Sequence, residues 1–266
     1  MKNGSYFLLF TFLLLVDNPP RTAENTPMTT FPLGRVAQIW YYPVKSMRGV
    51  SLQEAPLLWT GLAGDRRHAF VFANDPSGFP WLTGREFPDM VRYIPHHDPQ
   101  TGVLHITTPT GQSYPIQDPA LLAELTAAAG EPIHLLNLRR GAYDSLPISL
   151  ASTATAPALG RGLDVPLDAR RFRLNIFIEG WPAFAEEEWL GRTIHVGRGE
   201  EAAQLYLSRR IKRCSMINIE PDTAERNPHI LRHIVQTRDE CVGTHAQVLQ
   251  MGTLRVGDEV RIKEQG

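Results

Sequence analysis

Most of this chain consists of short runs of strand-spaced apolar residues, with only a few stretches of helical spacing. Residues 35–42, 52–59, 68–73 and 103–107 are predicted as strands. Between them lie Asn74-Asp75-Pro76-Ser77-Gly78, Asp98-Pro99-Gln100-Thr101-Gly102 and Pro109-Thr110-Gly111, the residue types that turn a chain. Closely spaced strands with hairpin turns favour a barrel or sandwich over alternating β and α units. A helix is predicted over 119–129, with proline in its first turn and Gly130 at its end, and a further strand over 133–138.

Around residues 140–144 the pattern passes into a second unit. Over 172–179, Phe172, Leu174, Ile176 and Ile178 fall in one phase, and Arg173 and Asn175 fall in the other. The segment therefore reads as one strand with both polar side chains on its non-core face, lining either a polar cleft or solvent. Residues 152–159 read as a short helix interrupted at Pro157, and Asn227-Pro228 opens another through about residue 236. Residues 247–249 and 253–262, joined at Gly252, read as a closing hairpin. The expected fold is mainly β with some α (α+β): a β-barrel domain over 33–139, then a second barrel-like domain with short helices over 140–263.

Composition narrows the function classes. At 266 residues and 42% hydrophobic the chain can bury a sizeable core. Lys+Arg 27 against Asp+Glu 28 leaves no global charge with which to hold a nucleic acid. Positive charge is instead local, at Arg139-Arg140, at Arg170-Arg171 with Arg173, and from Arg209 to Arg213. Two cysteines make no disulfide framework, which points to a reducing compartment. Lys2 precedes an apolar run over 6–16 that Asp17-Asn18-Pro19-Pro20 ends; eleven residues are too few to span ~30 Å of hydrocarbon. Residues 1–27 are either a signal or anchor, or a leader ahead of a start at Met28. The cytoplasm is expected in the second case, export or membrane anchoring in the first.

The chemistry centres on Cys214, which closes Ser208-Arg209-Arg210-Ile211-Lys212-Arg213-Cys214. Neighbouring cations raise a thiol's thiolate fraction, and thiolate is the form that attacks or binds metal. As a strand, the stretch puts Cys214 in phase with Lys212, Arg210 and Ser208, away from Ile211, Leu207 and Leu205. A half-buried structural cysteine is the competing reading. Lys45 and Ser46 end the first predicted strand and either hold an anion or are simply solvated. Arg66 either grips a phosphate or heterocycle through its donor fork or pairs with Asp65. Gly197-Arg198-Gly199-Glu200-Glu201-Ala202 matches a dinucleotide fingerprint, but its glycines more naturally turn a hairpin into residues 204–211. No HExxH, CxxC or phosphate-loop pattern occurs.

Several groups in order resemble the MOSC family, in its two-part members with an N-terminal β-barrel domain. They are Tyr42-Pro43-Val44-Lys45-Ser46, Gly64-Asp65-Arg66, Thr83-Gly84-Arg85 with Pro88, and Asp144 with Pro147. Phe172-Arg173-x-Asn175-Ile176, Arg213-Cys214 with Pro221-Asp222-Thr223, and Val256-Gly257-Asp258 follow in the second half. The resemblance covers roughly residues 33–263. It implies a molybdenum–molybdopterin cofactor with Cys214 as the protein thiolate on the metal and as the catalytic residue. Lys45, Ser46, Arg66 and Arg173 would hold the pterin and its phosphate, with Ser145, Asn175 and Arg213 as further contacts. It also implies reduction of small N-hydroxylated compounds, with electrons from an external ferredoxin- or flavoprotein-type donor and no nucleic-acid partner. A non-catalytic sulfur or cofactor carrier using Cys214 is the alternative; a thiol hydrolase would need a histidine base, and no histidine is diagnostically placed. Leu174, Asn218 and Leu146 depart from common family choices, and Cys241 is expected to pack.

Overall fold

The computed structural model describes residues 30–199 and 202–263; the leader, residues 1–27, lies outside the described residues. The first half supplies β1 (Thr30–Tyr41), β2 (Val50–Leu52), β3 (Glu54–Leu58), β4 (Gly61–Leu62), β5 (His68–Phe72), β6 (Ile94–His97), β7 (Leu104–Thr107), β8 (Ser113–Pro115), α1 (Pro119–Ala129) and β9 (Ile133–Asn137). The second supplies β10 (Ile148–Ser152), α2 (Thr155–Leu163), β11 (Ile176–Glu179), β12 (Thr193–Val196), β13 (Ala203–Lys212), α3 (Pro228–Arg238), β14 (Cys241–Gln250), β15 (Gly252–Arg255) and β16 (Glu259–Lys263). The fold is α+β, with an N-terminal β-barrel and a second, closed barrel that carries short helices.

Local chemistry accounts for the helices. Asp118 accepts a hydrogen bond from Ala120 N (2.8 Å) at the start of α1, Pro119 sits where no amide is needed, and Gly130 ends the helix at φ 76°. In α3, Asn227 accepts from His229 N (3.1 Å) and Pro228 follows. Pro157 interrupts nothing, because it falls in the first turn of α2, where its missing N–H is harmless. Among the described residues no helix is long and apolar enough to cross a membrane.

Strand pairing is less local. The order β11-β10-β14-β13-β12-β16-β1 closes on itself, because β1 also pairs with β11. The first of the described strands thus completes a barrel built otherwise from the second half. Its register shifts between Pro32 and Gly34, where a side chain would come within 2.2 Å of the Glu179 carbonyl oxygen. Val36, Ile39, Leu150, Ile178, Leu205 and Val260 fill this barrel, while Val44, Phe70, Leu82, Ile106 and Leu121 form the first half's core. A third cluster packs α2 and α3 against Phe172, Leu174 and Phe177.

Three predicted elements are corrected. The strand over 172–179 starts only at Ile176; before it lie the 3-10 turn Ala169–Phe172 and Arg173 at φ 52°. The alternation was real, since Phe172, Leu174, Ile176 and Ile178 are all buried, but the first two serve the helical cluster and the last two the barrel. The closing hairpin does not form: β14 pairs with β13 and β10, β15 crosses to β3, and β16 joins β12 and β1. Strand 52–59 is broken at Gln53, whose carbonyl accepts from Val256 N (2.9 Å). The glycines at 197 and 199 lie between antiparallel β12 and β13, so they turn a hairpin and open no helix.

Candidate functional site

Where β1 leaves the barrel, the chain runs through Tyr42 to Lys45 and Ser46, both buried, with Ser46 held at φ 66°. Lys45 N donates to His68 O (2.8 Å), which fixes the turn. The Lys45 ammonium donates to Ala142 O (3.0 Å) and Asp144 Oδ1 (2.5 Å), with the Phe79 and Trp81 rings each 5.6 Å away. Burial pushes its pKa down and Asp144 pulls it back up.

Asp65, at 0% exposure, organises the centre. It accepts from Tyr42 N (2.7 Å), from the Arg66 guanidinium and from Asn175 Nδ2 (3.1 Å). Arg66, at φ 50°, donates onward to Arg173 O (2.8 Å) and lies 4.6 Å from the Tyr42 ring. Arg173, turned by its left-handed backbone, lies 4.5 Å from the same ring. Its guanidinium has no carboxylate or hydrogen-bond partner among the described residues, and burial, with repulsion from Arg66, lowers its pKa to about 10. Arg213 donates to Phe172 O (2.5 Å), while its buried Nε has no hydrogen-bond partner. Burial pushes Arg213 down as well, and Cys214 pulls the other way. Burial raises the Tyr42 phenol to about 12 against the pull of all three arginines. His245 is held neutral, at about 4, by burial and then by Arg209, Arg213 and Arg66. The region carries more positive charge than the protein neutralises.

The other candidates fall differently. Cys214 is exposed and sits just before the 3-10 turn Ser215–Asn218, past the end of β13. The basic run does not converge on it. Bulges disturb the strand's alternation; Arg209 donates to Ser145 Oγ (2.5 Å), Arg210 pairs with Glu187 (3.1 Å) and Asp239 (3.3 Å), and Lys212 with Glu240 (3.6 Å). Arg213 is in electrostatic contact with the thiol. Ser145 is exposed and tied to that run. Asn175, 1% exposed, spends its whole amide on protein: Nδ2 on Asp65 and Trp40 O (3.2 Å), Oδ1 on Ser149 N (3.2 Å) and Oγ (3.0 Å). It braces the floor and has no donor left for a ligand. Cys241 is buried at the start of β14.

Sequence reasoning overlooked the organising role of Asp65, which stood in the Gly64-Asp65-Arg66 motif, and of Tyr42 and Tyr143. Tyr143 OH bonds Thr60 O and Asp65 O (both 3.0 Å), and its ring lies 5.9 Å from Arg66. It also missed an acidic cluster, Asp168, Glu220 and Asp222, with oxygens within 4.8 Å of one another. This candidate cation site already has cations: Arg170 bridges Asp168 and Asp222, and Arg48 holds Asp222 at 2.8 Å.

Clustered guanidiniums that share one buried carboxylate, with the Lys45 ammonium and an exposed thiol next to Arg213, suit an anionic ligand with planar or forked acceptors, plus a soft metal. An anionic pterin phosphate bearing a thiolate-bound metal fits this donor set, without Asn175.

Known proteins carry the same arrangement of domains. The family model described as the MOSC N-terminal beta barrel domain matches residues 33–144, and that of the MOSC domain matches residues 137–261. Mitochondrial amidoxime-reducing component 1 of Homo sapiens is 25% identical over 285 aligned positions, covering 86% of this chain and 82% of that protein. Molybdenum cofactor sulfurase of Oryza sativa subsp. japonica is 24% identical over 280 positions, but this chain spans only 32% of its length. The YUAD protein from Bacillus subtilis superposes on 90% of this chain and 100% of its own, with a TM-score of 0.48 at 13% identity.

Proposed function

With a MOSC N-terminal β-barrel domain followed by a MOSC domain, the chain belongs to the MOSC family, and from that premise we propose that it is a molybdenum-cofactor-dependent oxidoreductase acting on small N-hydroxylated compounds. The observation that carries the reading is the uncompensated charge around Tyr42: Arg173 without a partner and Arg213 with a buried, unbonded Nε, next to the exposed Cys214. The similarity to amidoxime-reducing component 1 over 86% of the chain supports the substrate class.

Cys214 would be the thiolate ligand, and Lys45, Ser46, Arg66, Arg173 and Arg213 would hold the pterin and its phosphate. When bound, the cofactor supplies two-electron redox chemistry. The protein's part is orientation and charge. Asp65 aims the Arg66 fork, Tyr42 carries Arg66 and Arg173 on its ring, and Lys45 adds an ammonium tethered to Asp144. Desolvated guanidiniums bind an anion more strongly than solvated ones. The net reaction takes two electrons and two protons and converts N–OH into N–H and water. A separate ferredoxin- or flavoprotein-type reductase supplies the electrons.

Elemental mass spectrometry of wild type and Cys214→Ala, made in a host competent for molybdenum cofactor, tests the reading. Molybdenum near stoichiometry is expected in wild type and not in the variant, with benzamidoxime reduction lost in parallel. Full activity in Cys214→Ala would sink it. A sulfur or cofactor carrier is the second reading, favoured by the exposure of Cys214 and the likeness to the sulfurase. Such a carrier would bind cofactor or labelled sulfur without donor-linked turnover.

A further inference from the structure

A cavity of about 240 Å³ lies between the two halves. Trp40, Tyr42 and Met216 give it apolar walls, and four arginines, Arg48, Arg170, Arg171 and Arg173, reach it. Of the residues proposed to hold the cofactor and its metal, Arg173 alone lines it; Lys45, Ser46, Arg66, Arg213 and Cys214 do not.

The four arginines are in different states. Arg48 and Arg170 are spent on Asp222, and Arg170 also on Asp168. Arg171 is not spent: its Nη1 is buried without a hydrogen-bond partner, and Asp168 and Glu220 act on it only through space. Burial lowers its pKa, as it does that of Arg173, which stacks on Tyr42 and which Asp65 and Asp144 reach only through space. Half-buried Arg171 and Arg173 line one apolar-walled cavity with no ion pair of their own among the described residues, and a single anion with an apolar body answers both. Planar carboxylate oxygens match the guanidinium fork, and the aromatic and thioether walls suit an aryl or alkyl group. A volume below the ~300–1,000 Å³ of drug-sized sites restricts the ligand to a small one.

We propose that this cavity is a binding site for a small amphipathic carboxylate, an arylalkanoic acid in size and polarity, held by Arg171 and Arg173. The proposal does not rest on the molybdenum reading.

The test titrates full-length protein with 3-phenylpropionate and with its neutral amide, by calorimetry and by the Trp40 indole N–H resonance. The acid is expected to bind and shift Trp40, and the amide to bind about tenfold more weakly or worse. Arg171→Gln should weaken the acid by about tenfold while keeping a wild-type circular dichroism spectrum, since it breaks no ion pair or side-chain hydrogen bond among the described residues. Should that variant fail to fold, Arg171→Lys keeps the charge without the fork, and a several-fold loss is expected. Equal binding of acid and amide, no binding at millimolar acid, or unchanged affinity in the folded arginine variant would overturn the site. So would displacement of the acid by an equal concentration of inorganic phosphate. Arg173 is shared with the proposed cofactor site, so Cys214→Ala, which that reading expects to lose molybdenum, should bind the acid at least as tightly as wild type, and this separates failure of this inference from failure of the cofactor reading. Loss of acid binding in folded Cys214→Ala would overturn the proposal.

Discussion

Two arginine-rich regions of this protein look alike in composition and differ in electrostatics. The run from Arg209 to Lys212 is dense in sequence, yet each cation has a partner: Ser145 for Arg209, Glu187 and Asp239 for Arg210, Glu240 for Lys212. The arginines around Tyr42 are scattered at 66, 173 and 213, and between them they own one buried carboxylate, Asp65. The difference teaches that positive charge marks a site where counter-ions run out, not where arginines crowd. Exposed pairs also contribute little to stability, whereas a buried charge is costly unless paired.

The sharpest way to break the comparison is Asp65→Ala. It leaves the Arg66 charge without its carboxylate, strands the Tyr42 amide and takes one of two acceptors from Asn175 Nδ2, and a loss of about 3–5 kcal/mol is expected from urea unfolding. A loss under about 1 kcal/mol would show that Asp65 does not hold the Tyr42 region together.

Glu186 extends the comparison to an anion. It is 0% exposed, Oε1 has no partner, and burial raises its carboxyl to about 7. The folded state therefore binds this proton more tightly than the unfolded chain does. The resulting stability is full below the unfolded value and is lost as pH rises through about 7. Between pH 5 and pH 8 a decline on the order of 2–3 kcal/mol is expected, and Glu186→Gln should flatten it. An unchanged slope in the variant would assign the pH dependence to other groups.

Arg173→Leu should behave in the opposite way to Asp65→Ala. No ion pair is lost, only a stacking contact with Tyr42, so stability should change by about 1 kcal/mol or less. Under the proposed function its molybdenum content should nevertheless fall. Destabilisation as large as that of Asp65→Ala would mean that Arg173 is structural. Lys212→Ala should do least, within about 0.5 kcal/mol by thermal melting, with molybdenum retained.

Much of this could be read along the chain. The helices at 119–129 and 228–238 showed through proline and their capping residues, and strands 68–72 and 104–107 through their flanking turns. Asp65 and Arg66 could be seen as neighbours, but Asn175 lies 110 positions from Asp65, so that clasp could not be seen. The polar phase of 172–179 suggested two residues sharing a face. The backbone at Arg173 instead turns one toward Tyr42, and Asn175 goes beneath the site.

By itself, then, the sequence determined what depends on a few consecutive residues: caps, turns, strand periodicity and the mainly β class. Tertiary structure decided that β1 completes the second half's barrel, that β15 crosses to β3, and which arginines lack a counter-ion. The reason is physical. Capping and periodicity act between residues a few positions apart, whereas the β1–β11 and β15–β3 pairings and the Asp65–Asn175 bond join segments a hundred or more positions apart, which only folding brings within reach.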